Sequence, residues 1–140
     1  MTEPRVTGAR VTGPRGAAIL AVEDEVRNAA LLQAILVPAG YDLTIATSLA
    51  EARARLGERT PALLLLDRHL GDGDGLDLAR ELHGDAATAD IPILLVSASV
   101  LPVDRIAAEE AGCDGFIDKP VRVDALLAEV ARHLRGAGSR

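Results

Sequence analysis

Three stretches of uninterrupted aliphatic residues constrain this chain more than anything else in it: AAILAV at 17–22, ALLLL at 62–66 and ILLV at 93–96. A strand with one wet face alternates apolar and polar residues, whereas a strand with no polar position is covered on both faces. Each run also stops abruptly at a polar side chain, Glu23, Asp67 and Ser97 in turn. Stretches of helical periodicity separate them, so strands and helices alternate. That pattern describes a parallel sheet with helices on both sides.

The intervening segments complete five strand–helix units. Leu31, Leu32, Ile35 and Leu36 share a helical face halted by Pro38 and Gly40. Residues 41–46 read as a second strand, and Ser48 with Glu51 forms a capping box opening a short helix with Leu49, Ala52 and Leu56 inward. A glycine-rich loop, GDGDG at 71–75, leads into a helix over 76–83. Pro102 suits the first turn of a fourth helix with Val103, Ile106, Ala107 and Ala111 inward, and Gly112 closes it. A short strand over 115–118 precedes a last helix that Asp124 is expected to cap, with Leu126, Leu127, Val130, Ala131 and Leu134 in one stripe. The expected boundaries are a flexible tail over 1–15, one domain over 16–136 and a short tail over 137–140.

Composition narrows the classes. A chain of 140 residues, 49% apolar and 26% charged, is one domain with a real core. With 15 basic and 21 acidic residues the net charge is −6, which disfavours direct binding to nucleic acid. The lone Cys113 excludes an internal disulfide and reads as a small buried hydrophobe. No run approaches the about 18 apolar residues of a membrane span, and residues 1–16 lack the apolar core of a secretory signal. A cytoplasmic protein without membrane contact is expected. Tyr41 and Phe116 are the only aromatics, so the core is aliphatic.

In such a sheet ligands bind at the carboxyl ends of the strands, where the strand order reverses. The side chains expected there are Glu23, Asp24, Asp67, Ser97 and Lys119. Neighbouring carboxylates repel, by about 4 kcal/mol for unit charges roughly 4 Å apart at an effective dielectric near 20. Protonation relieves this, or a cation does. A hard divalent ion such as Mg²⁺, which takes carboxylates, water and a phosphate oxygen, fits this donor set best. Three carboxylates, one such ion and Lys119 sum to no net charge. The site is thus poised to accept a phosphoryl group, with a carboxylate as nucleophile forming an acyl phosphate. Glu23 and Glu25 flank Asp24, and pattern alone does not choose between them.

Four motifs in order, ILAVEDE at 19–25, LLLLDRHLGDGDG at 63–75, ILLVSAS at 93–99 and GFIDKP at 115–120, resemble the receiver domain of two-component response regulators. The resemblance covers about residues 16–135. It implies a doubly wound, flavodoxin-like fold with five parallel strands in the order 2-1-3-4-5 and five helices. It matches Glu23 and Asp24 to the Mg²⁺-binding acid pair and Asp67 to the aspartate phosphorylated by a histidine kinase or a histidine phosphotransfer protein. Ser97 matches the hydroxyl after strand four, and Lys119 the lysine followed by proline. The backbone carbonyl of His69 would be a further metal ligand, and Phe116 would be the switch aromatic that moves with Ser97.

The same resemblance implies a bacterial signalling protein that catalyses only its own phosphorylation and dephosphorylation. A downstream protein would read a surface including Val100, Leu101, Phe116, Asp118 and Val121. It looks closest to a stand-alone receiver; a domain cut from a hybrid kinase or longer regulator is the alternative, as is a phosphorylation-independent interaction module. A Mg²⁺-dependent phosphohydrolase shares this chemistry but typically carries D-x-D after the first strand, which Glu23, Asp24 and Glu25 do not supply. Asp72 and Asp74 hint at a calcium loop, but Leu76 and His83 stand where ligands are needed. His69, His83 and His133 lack metal-ligand spacing. The family loop usually reads Leu-Pro with a later Met-Asp-Gly; here it runs from Leu70 to Gly75 as LGDGDG, and the added glycines are expected to loosen it. His69 and Ser99 fall where relatives control the approach of water to the acyl phosphate.

Overall fold

The computed structural model describes residues 16–98 and 101–138, and side chains as far as residue 134. Five parallel strands alternate with five helices: β1 (Ala18–Val22), α1 (Val26–Leu36), β2 (Asp42–Ala46), α2 (Leu49–Glu58), β3 (Leu63–Asp67), α3 (Gly75–His83), β4 (Ile93–Ser97), α4 (Pro102–Glu110), β5 (Gly115–Asp118) and α5 (Val123–Gly138). The sheet order is β2-β1-β3-β4-β5, as the resemblance implied. Chain direction across the sheet reverses between β1 and β3, which opens a crevice at their carboxyl ends. The first tail, Ser99, Val100 and the last two residues lie outside the described residues. α5 runs to Gly138.

The uninterrupted runs divide between two cores by the two-residue period of a strand. Leu20, Val22, Leu64, Leu66, Ile93 and Leu95 face α2, α3 and α4. Ile19, Ala21, Leu63, Leu65, Leu94 and Val96 face α1 and α5. Both faces are covered, so no position in these strands tolerates a polar residue until the strand ends. Register then sets which strand ends are neighbours: Val22 pairs with Leu66, Asp67 with Val96, and Ser97 with Asp118.

The local signals hold at most helix ends. Ser48 caps α2 by accepting the Glu51 N–H at 3.0 Å, and Glu51 reaches back to the N–H of Thr47 at 2.7 Å. Gly112, with φ of +100°, closes α4 in the left-handed conformation that a side chain resists. Asp124 lies inside the first turn of α5 instead of capping it, where its carboxylate accepts the Ala125 N–H. Three side chains placed on packing faces turn outward. Val103 and Ile106 are 66% and 53% exposed, and α4 rests on Ala108 and Ala111. Leu31 likewise faces solvent, while Leu32, Ile35 and Leu36 are buried. In both helices two apolar stripes lie side by side, and the stripe that packs is set by closeness to the sheet; in α4 the small alanines allow the closer approach.

Candidate functional site

The crevice at the carboxyl end of the sheet collects side chains from three strand ends. Asp67, the last residue of β3, is 6% exposed, and Glu23, just past β1, is 2% exposed. Asp24 stands beside them in solvent. One oxygen from each of Glu23, Asp24 and Asp67 lies within 4.8 Å of the others. Lys119, one residue beyond β5, reaches into the group. Its Nζ is 3.3 Å from Asp67 Oδ1 and 3.4 Å from Glu23 Oε1. The Lys119 N–H also donates to the Ser97 carbonyl at 3.0 Å, which fixes where the lysine leaves the sheet.

The structure resolves the ambiguity between the glutamates. Glu25 turns away and caps α1, accepting the Asn28 N–H at 3.0 Å. Glu23 points into the cluster and accepts the Glu25 N–H at 3.1 Å. Burial raises the pKa of Glu23 above the usual carboxylate range, and the Asp67 charge adds to the rise; the Glu25 N–H and Lys119 oppose it. Burial makes this carboxyl costly to ionise, and Lys119, 3.4 Å away, offsets only part of that cost. The donor set of three hard oxygens, two buried and one exposed, fits Mg²⁺.

Ser97 is buried at the end of β4. His69 lies two residues beyond Asp67 with its side chain exposed, in a small antiparallel ribbon where it pairs with Asp74 and Leu70 with Gly73. Phe116 stands on β5 opposite Leu95, two residues below the level of Ser97, and packs against the core on the α4 side. The Arg105 guanidinium lies 4.3 Å from the centre of its ring and pairs with Asp118 at 3.0 Å. The groove around Phe116, about 520 Å³, is also lined by Asp118, Arg122, Glu129 and Arg132. Leu101 is exposed and Val121 half-buried near this face; Val100 lies outside the described residues.

Sequence reasoning passed over the roles of six residues. Arg68, directly after Asp67, is mostly buried and bridges Asp74 and Asp104 at 3.4 and 3.1 Å, joining the loop to α4. Arg105 covers Phe116. Gly71 and Asp72 fasten the loop that was expected to be loose: the Gly71 N–H donates to Asp24 Oδ2 at 3.0 Å, and Asp72 accepts the N–H groups of Leu49 and Ala50 at 2.9 and 3.1 Å. Asp74 caps α3 through the Leu76 N–H. Gly75 packs so closely that a Cβ would collide with the Asp67 carbonyl oxygen. The glycines here admit close approach of backbone segments, which tightens the loop. Only the run of acids in 72–74 hinted at this, through the affinity of carboxylates for free N–H groups at helix starts.

The sequence model of the response regulator receiver domain matches residues 19–131. The chain belongs to the response regulator receiver domain family. Among relatives of this receiver domain, the phosphate regulon transcriptional regulatory protein PhoB of Pseudomonas aeruginosa is 36% identical over 123 residues, 88% of this chain and 54% of that protein. The DNA-binding dual master transcriptional regulator RpaA of Synechocystis is 33% identical over 117 residues, 84% of this chain and 48% of that protein. The chain thus spans about half the length of these curated relatives. In three dimensions it is similar to the signal receiver domain of a signal transduction histidine kinase from Syntrophus aciditrophicus, with a TM-score of 0.79, 33% identity and coverage of 86% of this chain and 91% of that one. A CheY-like receiver domain protein from Methanospirillum hungatei gives a TM-score of 0.81 at 25% identity, covering 88% and 97%. Among the described residues of the receiver domain, no helix is long and apolar enough to cross a membrane.

Proposed function

We propose that this receiver domain is a phosphorylation switch that takes a phosphoryl group from the histidine of a kinase or phosphotransfer protein onto Asp67. The observation that carries the proposal is the reach of Lys119 Nζ to both Asp67 and Glu23 beside a cluster of three carboxylates. In the transfer the donor phosphohistidine ring takes a proton from solvent, its P–N bond breaks, an O–P bond forms to an Asp67 oxygen, and the histidine leaves as neutral imidazole. Glu23, Asp24, Asp67 and the His69 carbonyl would hold Mg²⁺, which would supply positive charge against the phosphoryl oxygens. Lys119 holds one phosphoryl oxygen and the Ser97 hydroxyl another. Burial of Asp67 keeps bulk water from much of its carboxylate. The chain acts on no other substrate and turns over only its own acyl phosphate.

The response runs through Ser97 and Phe116. Movement of Ser97 toward the phosphoryl group makes room for Phe116, whose ring must leave Arg105, and this alters the face around α4 and β5 that a downstream protein reads. The domain works in the cytoplasm and binds proteins, with no direct contact to nucleic acid or membrane. Intact mass after incubation with acetyl phosphate tests the core of the reading. One added phosphoryl group that requires both Mg²⁺ and Asp67 is the expected result. No gain in a folded protein under any condition would overturn it. Partner binding indifferent to Asp67→Ala and Lys119→Ala would indicate an interaction module instead.

A further inference from the structure

The loop between β3 and α3 departs most from the family pattern, and it touches the acidic cluster at one place. The Gly71 N–H donates to Asp24 Oδ2 at 3.0 Å, across 47 positions of sequence. Asp24 is exposed, and an unrestrained aspartate at the mouth of a crevice samples several rotamers. We propose that Gly71 is a positioning residue for cation binding: its N–H holds the Asp24 carboxylate in place, and Asp72 in turn holds Gly71. The inference rests on reading the acidic cluster as a cation site.

Three features support it. A carboxylate has two oxygens, so one can accept the N–H while the other serves a cation. Proline, the residue usual at this point of the receiver pattern, has no N–H and cannot make this bond. Asp72, the next residue, is fixed to another element. Its two oxygens accept the N–H groups of Leu49 and Ala50, donors that a helix leaves unpaired at its start. These same bonds lower the Asp72 pKa, so the anion that grips α2 is present at neutral pH. Gly73 lies so near Leu49 that a Cβ would come within 2.8 Å of its side chain, which places the loop directly on α2. Gly71 is therefore held between a fixed helix start and the carboxylate it orients.

The geometry also supplies a clean pair of variants. Gly71 is the first of two residues between the paired Leu70 and Gly73, a position where turns accept proline. A Cβ there would meet only Asp24 Oδ2, at an ordinary 3.8 Å, and the residue is not among the glycines with positive φ. Gly71→Ala therefore keeps the N–H, whereas Gly71→Pro removes it and sets its ring Cδ where the hydrogen pointed, so that the Asp24 carboxylate must turn away. The experiment titrates Mg²⁺ into the whole chain by calorimetry, with folding checked by thermal melts in chelator. Gly71→Pro is expected to weaken Mg²⁺ affinity on the order of fivefold to tenfold, the net worth of one ordinary hydrogen bond. Gly71→Ala is expected to bind like the parent. Asp72→Asn, which replaces one of the two accepting oxygens with an NH₂ donor, is expected to weaken binding, and the Gly71→Pro/Asp72→Asn double variant to be no weaker than Gly71→Pro alone. Parental affinity in Gly71→Pro, equal loss in Gly71→Ala, or additive losses in the double variant would each overturn the proposal. If the parent binds no more Mg²⁺ than Asp24→Ala, the cation site itself is refuted, a result distinct from the other three.

Discussion

Glu23 and Glu25 carry the same side chain two residues apart, and their surroundings give them different work. Glu25 stays in solvent and caps α1, while Glu23 is buried against Asp67 and Lys119. Because desolvation, followed by the Asp67 charge, raises the Glu23 pKa in the folded state, the native protein holds that proton more tightly than the unfolded chain. Stability from the protonated form is therefore complete below the unfolded value and is lost as pH rises through the raised native one. In chelator, Glu23→Gln should be more stable than the parent near neutral pH, with the gain vanishing at about pH 4, below the unfolded value. Thermal melts at both pH values check this, and an equal gain at both would count against it. Cys113 shows the opposite case, a group whose type and setting agree. Burial pushes its thiol up to about 12, so it packs as a hydrophobe.

At the scale of elements, α4 shows where periodicity misleads. Its inward stripe was expected to include Val103 and Ile106, yet the helix seats on Ala108 and Ala111 and leaves the larger side chains in solvent. Ile106→Ser should therefore change stability by no more than about 0.5 kcal/mol, whereas Ala108→Leu should cost about 1–3 kcal/mol through overpacking. Urea denaturation of the two variants distinguishes this seating from the one expected from pattern, which reverses the order. The outward stripe belongs to the same helix that holds Arg68 through Asp104 and covers Phe116 with Arg105, so α4 is tied both to the residue after Asp67 and to the groove around Phe116. α5 was easier to read because only one of its faces, Leu126, Val130, Ala131 and Leu134, is apolar enough to pack.

For the whole molecule, the site exists only when the sheet is assembled, since its groups come from positions 23, 24, 67 and 119. A cation that binds the folded state alone must then stabilise it. At a concentration of about 100 times its Kd, Mg²⁺ should add about 2.7 kcal/mol to the free energy of unfolding, and Asp67→Ala or Asp24→Ala should lose most of that increment. Melts with and without Mg²⁺ check it; an equal increment in the variants would place the ion elsewhere. The parallel doubly wound architecture and the residues at the strand ends were readable from the chain alone, because a strand buried on both faces can end only where a polar side chain meets the surface. The separate work of Glu23 and Glu25, the seating of α4, the cover of Arg105 over Phe116 and the fastening of the 71–75 loop were decided by tertiary structure. Those outcomes depend on contacts such as Gly71 with Asp24 or Asp72 with Leu49, made across tens of residues by groups whose local sequence does not reveal their partner.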